Sequence, residues 1–194
     1  MSQASIPPAA VTATQVSYDL CAYPEYIDPI LEEATDMMKE EGGLNPKALY
    51  RMPSFQRYAL KSLTLSDGVR IPRGTQIYVA ASSISADPQI VHQPEHFDGW
   101  RYYNKRLSPG EENRDQFSSI DTEWLHFGYG PHACSGRFFT SNEVKMIVIY
   151  FLSNYELAFR PGEGRPQNKV HDELVFPDLA ARMLIREKGV SDTT

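Results

Sequence analysis

Only two cysteines, Cys21 and Cys134, occur in the 194 residues, and they lie far apart. Two distant cysteines make no disulfide framework, so a packed core must hold the fold and a reducing compartment is expected. No stretch of about 18 apolar residues exists, so no membrane-spanning segment is predicted. Met1 to Ala10 has neither a basic start nor an apolar run, so it does not read as a secretory leader. Positive charge is short as well. The 19 Lys and Arg against 25 Asp and Glu leave a net charge of −6, with no basic run. That argues against a nucleic acid partner. Apolar residues at 41% and charged residues at 23% are those of an ordinary globular protein, and the length suits one domain with a real core.

What is present is concentrated in one stretch, Phe127-Gly128-Tyr129-Gly130-Pro131-His132-Ala133-Cys134-Ser135-Gly136-Arg137. It is a glycine-rich loop that ends in one cysteine and runs at once into a helical pattern. Gly128 and Gly130 let the backbone turn tightly and pass close to a flat ligand. The first N–H groups and the positive end of the following helix point back at the sulfur, which favours thiolate over thiol. Such a thiolate suits a metal. A structural zinc site needs about four ligands and two cysteines do not supply them. A cysteine nucleophile paired with His126 or His132 leaves the glycines and Phe127 without a role. An ordinary buried cysteine beside a helix cap is the bland alternative.

The stretch resembles the heme-binding loop of the cytochromes P-450, F-x-x-G-x-H/R-x-C-x-G. Phe127, Gly130, His132, Cys134 and Gly136 fall on that pattern, and Arg137 is usual there. The resemblance implies a mainly α fold with a small β-sheet, of which this chain is the C-terminal portion. It implies heme b as cofactor, with Cys134 as the axial thiolate of the iron. Phe127, Gly128, Gly130, Gly136 and Arg137 are expected around it, with His132 and Arg101 beside the propionates.

The rest of the chain is ordered accordingly. Residues 1–52 are expected to hold the end of a central helix and the helices after it. Val11 to Ala22 reads as a helix with Val11, Val16, Leu20 and Tyr23 near one face, stopped by Pro24. Pro29 to Glu41 reads as a second, ended by Gly42-Gly43, and Asn45 to Met52 as a short third. Residues 53–104 are expected to hold the small sheet and a PExF…R segment. Leu60 to Leu65 and Val69 to Ile71 alternate around Ser66-Asp67-Gly68, a hairpin signal. Pro72-Arg73-Gly74 predicts another turn and Thr75 to Ala81 a β run. Residues 105–194 carry a polar surface loop to Glu123, then the cysteine loop, a helix over Phe138 to Tyr155 and terminal strands. Phe139, Val144, Ile147, Val148 and Phe151 are its predicted apolar face.

Three departures from the family pattern bear on function. The family's Glu-x-x-Arg helix, which braces the heme pocket by pairing with a later arginine, is expected before the small sheet and is cut out before Pro53. Glu111-Glu112-Asn113-Arg114 is a chance match in a polar loop. Arg101, the later arginine, is thereby expected to lack its partners. The acid and threonine pair that delivers protons on the central helix falls at Ile6 to Ala10. Thr12 and Thr14 lie nearby on a helix. Finally, the front half of the family fold is expected to be missing, and with it most of the substrate pocket. His92-Gln93-Pro94-Glu95-His96 fits an inverted zinc-peptidase pattern, but Pro94 breaks the helix that site needs. His171 has no partner at ligand spacing.

By resemblance, the expected function is heme-thiolate monooxygenation. One oxygen atom of O2 would enter an organic substrate, a terpenoid or other secondary metabolite, with electrons from NADPH-cytochrome P-450 reductase. A full-length relative would sit on the cytosolic face of the endoplasmic reticulum membrane, and this chain in the cytoplasm. The alternative is a truncated, non-catalytic remnant with weak or no heme binding.

Overall fold

The computed structural model describes residues 6–39, 55–112, 114–171 and 174–189. The short helix expected over Asn45 to Met52, the Gly42-Gly43 stop and the point before Pro53 lie outside them.

Helix α1 spans Ile6–Ala22, five residues longer at its start than the periodicity predicts. Pro7 and Pro8 fall in its first turn, where the missing N–H groups would have no acceptor anyway. Thr12, Ala13, Gln15, Val16, Tyr18, Asp19 and Leu20 are all buried. A helix buried on so many sides runs through the interior rather than along the surface. Its end is where Pro24 predicts, and a 3-10 turn over Pro24–Tyr26 leads into α2, Ile27–Lys39.

The core forms where α1 and α2 meet α5, Arg137–Asn154. Ala9, Val16 and Leu20 pack with Val144, Val148 and Leu152, flanked by Tyr26, Ile27, Ile30, Leu31 and Leu157. Each large apolar side chain buried there is worth about 1.5–3 kcal/mol. The buried stripe of α5 is Ser141, Val144, Val148 and Leu152, at steps of three and four. Val144 and Val148 are the predicted core positions, whereas Phe139 is 52% exposed and Leu152 takes a place not foreseen. In the first turn of α5 both aromatic residues are more than half exposed, Phe138 at 57% and Phe139 at 52%, and the Arg137 guanidinium lies over the Phe138 ring at 4.3 Å.

The fold is mainly α with a small amount of β structure, as expected. Among the described residues that β structure is four two-stranded antiparallel sheets. The Ser66-Asp67-Gly68 turn joins β2, Leu63–Thr64, to β3, Arg70–Ile71, and Gly68 takes φ 89°. Around this hairpin lies a second, outer one. Strand β1, Phe55–Tyr58, pairs with β4, Gln76–Val79, in the register Phe55↔Val79 to Tyr58↔Gln76. The predicted strand over Leu60 to Leu65 is therefore mostly the link between them. The bend at Gly74, φ 84°, gives its N–H to the Ala59 carbonyl at 2.7 Å and sets the outer register instead.

Short helices α3, Ala81–Ile84, and α4, Arg101–Arg106, follow. The stretch after α4 is not wholly surface, since Phe117 and Ser118 are buried. After α5, strand β5, Tyr155–Ala158, pairs with β8, Leu184–Glu187, and β6, Lys169–His171, with β7, Leu174–Phe176. Lys188 closes the unit by donating from Nζ to the Leu152 carbonyl at 2.6 Å, at the C-terminal end of α5.

Candidate heme-thiolate loop

The loop before α5 is built by its own backbone. Gly128 and Gly130 sit at φ 75° and 70°, the left-handed region glycine tolerates best. Gly128 N–H donates to Leu125, and Ala133 N–H to Gly130, closing a 3-10 turn over Gly130–His132. The N–H of Cys134 then reaches back to the Phe127 carbonyl at 2.7 Å. From the other side, Arg137 Nη1 donates to the Cys134 carbonyl at 3.1 Å. Gly136 caps α5, and a Cβ added there would meet Cys134 Sγ at 3.9 Å. Six of the predicted residues, Phe127, Gly128, Gly130, His132, Gly136 and Arg137, therefore lie in one loop with Cys134.

Burial divides that loop in two. Phe127 and Gly128 are buried, while Gly130, Pro131, His132, Cys134 and Ser135 are exposed. Phe127 stands edge-on to Phe117, with ring centres 5.4 Å apart, and next to His126 at 4.7 Å. His126 Nε2 lies 2.7 Å from the Phe117 carbonyl, and since a carbonyl only accepts, that nitrogen carries the hydrogen. The loop is thus anchored from below and presents its thiol outward.

Arg101 lies on another segment. Its guanidinium donates to the carbonyls of His92, Gln93 and His96, the last two at 3.1 and 2.8 Å. The expectation that it lacks partners is corrected: three main-chain acceptors take it up. They are available because residues 92–96 form bends and turns around Gln93, φ 47°, rather than a helix. Glu111 and Arg114, the chance match, make a local ion pair at 2.9 Å.

Two cavities adjoin these residues. One of about 580 Å³ lies over Arg137 and Phe138 and is walled by Lys105, Arg114, Asp121 and Glu123. The other, about 320 Å³, has Arg101 on one wall and Gln15, Asp19, Arg165 and Asn168 on another. Arg165 Nη2 donates to Gln15 Oε1 at 2.7 Å and its Nε to Asp19, while Gln15 Nε2 donates to Asn168 at 2.7 Å. Burial raises the Asp19 carboxyl above its ordinary range, against the opposing pull of Arg165. This network was not picked out from the sequence. Its one signal is a pair of strongly polar residues four apart, Gln15 and Asp19, on a helix that carries no other charged or amide side chain. Thr12 is buried, and the Thr14 hydroxyl donates to the Ala10 carbonyl at 2.9 Å.

The donor set fits heme. Among the described residues there is no group of three or more His, Cys, Asp or Glu placed to hold a metal. A single thiolate can instead ligate an iron whose other ligands come from a porphyrin. The added Cβ at Gly136 would stand in ordinary contact with the Cys134 sulfur, at 3.9 Å, and nothing lies within 4 Å of one at Gly130, so no side chain of the loop crowds these two positions.

Comparison with known proteins agrees with the loop. The cytochrome P-450 family pattern matches residues 50–185. A cytochrome P-450 monooxygenase of Emericella nidulans is 39% identical, over 98% of this chain and 39% of that protein. An ent-kaurene oxidase of Gibberella fujikuroi is 35% identical, over 99% of this chain and 42% of that protein. A cytochrome P-450 monooxygenase of a Nectria species is 35% identical, over 98% and 40%. The chain spans about two fifths of the length of these relatives. The first two alignments run over 209 and 215 residues, longer than the chain itself, so the relatives carry extra residues inside the matched span. With a family match over most of its length and a cysteine loop of this geometry, the chain belongs to the cytochrome P-450 family.

Proposed function

We propose that this chain is the heme-binding C-terminal part of a monooxygenase that inserts one oxygen atom of O2 into an organic substrate of terpenoid or other secondary-metabolite type. The observation that carries the reading is Cys134 itself: an exposed thiol on a backbone-locked glycine loop at the start of α5. Three relatives named ent-kaurene oxidases support the terpenoid choice. Bound at this loop, heme iron would supply the activation of O2, and electrons would come from NADPH through a cytochrome P-450 reductase.

The chain's own residues have narrower tasks. Cys134 gives the sulfur ligand. The Phe127 carbonyl and Arg137 hold the cysteine main chain from both sides and so fix the backbone from which the sulfur projects. Phe127 shields the loop from below. His132, exposed on the same loop, is the candidate partner for a propionate, with Arg101 a second candidate on another segment. No helix of the described residues is long and apolar enough to cross a membrane. A full-length relative would be held at the endoplasmic reticulum by its upstream part.

The second reading is a truncated, non-catalytic remnant, in which the bracing Glu-x-x-Arg helix expected before Pro53 is lost. The test is the CO difference spectrum of the reduced, heme-loaded chain, with product formed per NADPH consumed on a terpenoid panel. A thiolate-type band that Cys134→Ala abolishes supports heme ligation. The band with coupled product favours the monooxygenase. The band without product favours the remnant, and a band that persists in Cys134→Ala overturns the ligand assignment.

A further inference from the structure

The smaller cavity, about 320 Å³, is walled by parts of the chain far apart in sequence: α1, residues 85–101 and residues 165–175. No residue of the cysteine loop lines it. Its volume is at the lower end of the range that small-molecule sites enclose. Gln15 and Asp19 on its wall are 3% and 4% exposed, so two polar side chains have been taken out of water there. Such groups are costly unless they find partners.

Two of the lining side chains are only partly satisfied. Asp19 Oδ1 accepts from Arg165 Nε, and among the described residues nothing donates to its second oxygen, Oδ2. Arg101 gives its Nη hydrogens to three main-chain carbonyls, which carry no net charge, and its Nε is buried without a partner. No carboxylate of the described residues pairs with it. Glu95, on the same wall and two-thirds exposed, stands 3.7 Å from His96 instead. The cavity therefore presents a cation without a counter-ion and a carboxylate oxygen without a donor. Arg165 already offsets the charge of Asp19, so the donor that suits Asp19 is a neutral hydroxyl rather than an ammonium. The apolar lining comes from Val91, Phe97 and Val175, and Phe97 is held by stacking on Tyr23 at 4.5 Å between ring centres.

We propose that this cavity binds a small aryl carboxylate that carries a hydroxyl group. The carboxylate faces Arg101, whose guanidinium matches it in charge and shape. The hydroxyl donates to Asp19 Oδ2, since an ionised carboxylate only accepts. The ring lies against Phe97 and the two valines. The site does not depend on the heme reading. A carboxylate could also come from a heme propionate, and the experiment separates the two sources.

The test is calorimetric titration of the 194-residue chain, first without heme, with 4-hydroxyphenylacetate, phenylacetate and 4-hydroxyphenylacetamide. The hydroxy acid should bind tightest, and losing either the charge or the hydroxyl should raise Kd roughly tenfold to a hundredfold. Arg101→Gln should erase the preference for the acid over the amide. Val175→Phe, which fills the cavity from another element and leaves Arg101 in place, should weaken all three ligands. Circular dichroism checks folding, and if Arg101→Gln unfolds, the ligand series and Val175→Phe carry the test. Heme added in excess should leave the Kd of the hydroxy acid unchanged. No binding of the hydroxy acid, equal binding of acid and amide, equal binding with and without the hydroxyl, or full affinity in Val175→Phe overturns the proposal. Competitive displacement by heme overturns it as well, by assigning Arg101 to a propionate.

Discussion

The main-chain N–H of Cys134 donates to the carbonyl of Phe127, seven residues earlier, at 2.7 Å. That bond turns the motif into a closed ring of backbone. The two glycines inside it, Gly128 and Gly130, supply the left-handed turns that let the ends meet.

Gly130→Ala should therefore weaken the loop without a clash. Nothing lies within 4 Å of the added Cβ, but φ 70° remains to be held by an L side chain. The strain is about 1–2 kcal/mol. The expected outcome is lower heme retention with secondary structure unchanged, read by heme titration beside far-ultraviolet circular dichroism.

The two thiols should separate in reactivity. Burial pushes Cys21 up to about 11, and its sulfur lies 3.6 Å from Met183 Sδ, whereas Cys134 is exposed. The thiolate is the reacting form. At neutral pH iodoacetamide should label Cys134 first, with Cys21 catching up only as the pH approaches 11. Peptide mass spectrometry over a pH series checks this, and equal labelling at neutral pH would count against the packing of α1.

Leu152→Ala should be far more costly than Phe139→Ala. Leu152 is 2% exposed inside the core, so its truncation leaves a cavity and should cost about 2–5 kcal/mol. Phe139 is half exposed, and a surface change of that kind stays within about 0.5 kcal/mol. Urea unfolding of the two variants decides the matter.

Asp19 should give the chain an acid-range dependence of unusual sign. The folded carboxyl keeps its proton to higher pH than the unfolded one, whose ordinary value is 3.8. Between those values the folded state binds more protons, so stability falls as the pH rises. Below 3.8 the contribution is flat, and above the folded value the loss is complete. Asp19→Asn should remove this slope. The difference in urea midpoint between wild type and variant, followed across the acid range, isolates it from the other carboxylates.

The cysteine loop was legible because its chemistry is local: each glycine, the cysteine and the helix start act within a dozen residues. The C-terminal end of α1, before Pro24, and the Gly68 turn were legible for the same reason. The strand pairing was less so. Ala59 bonds Thr75 and Gly74, sixteen and fifteen residues on, and only that long-range register shows that 55–58 rather than 60–65 is the outer strand. The buried face of α5 was half legible, since periodicity marks a stripe but not which turn of the helix lies under α1. Arg101 was misread because its acceptors are main-chain carbonyls, which no side-chain pattern reveals. The Arg165 network joins residues about 150 positions apart and left only a faint mark on α1.

Because each described sheet has two strands, each strand keeps one open rim. A free rim is a template onto which a second chain can add a strand. Charge guards most of them: Arg57, Arg70, Glu156, Lys169 and Arg186 sit on β1, β3, β5, β6 and β8. Strands β2, Leu-Thr, β4, Gln-Ile-Tyr-Val, and β7, Leu-Val-Phe, carry no such gatekeeper. The longer two of these rims, on β4 and β7, are where fibre-like stacking would begin at high concentration, and where a chaperone holding the newly made chain would have most reason to bind.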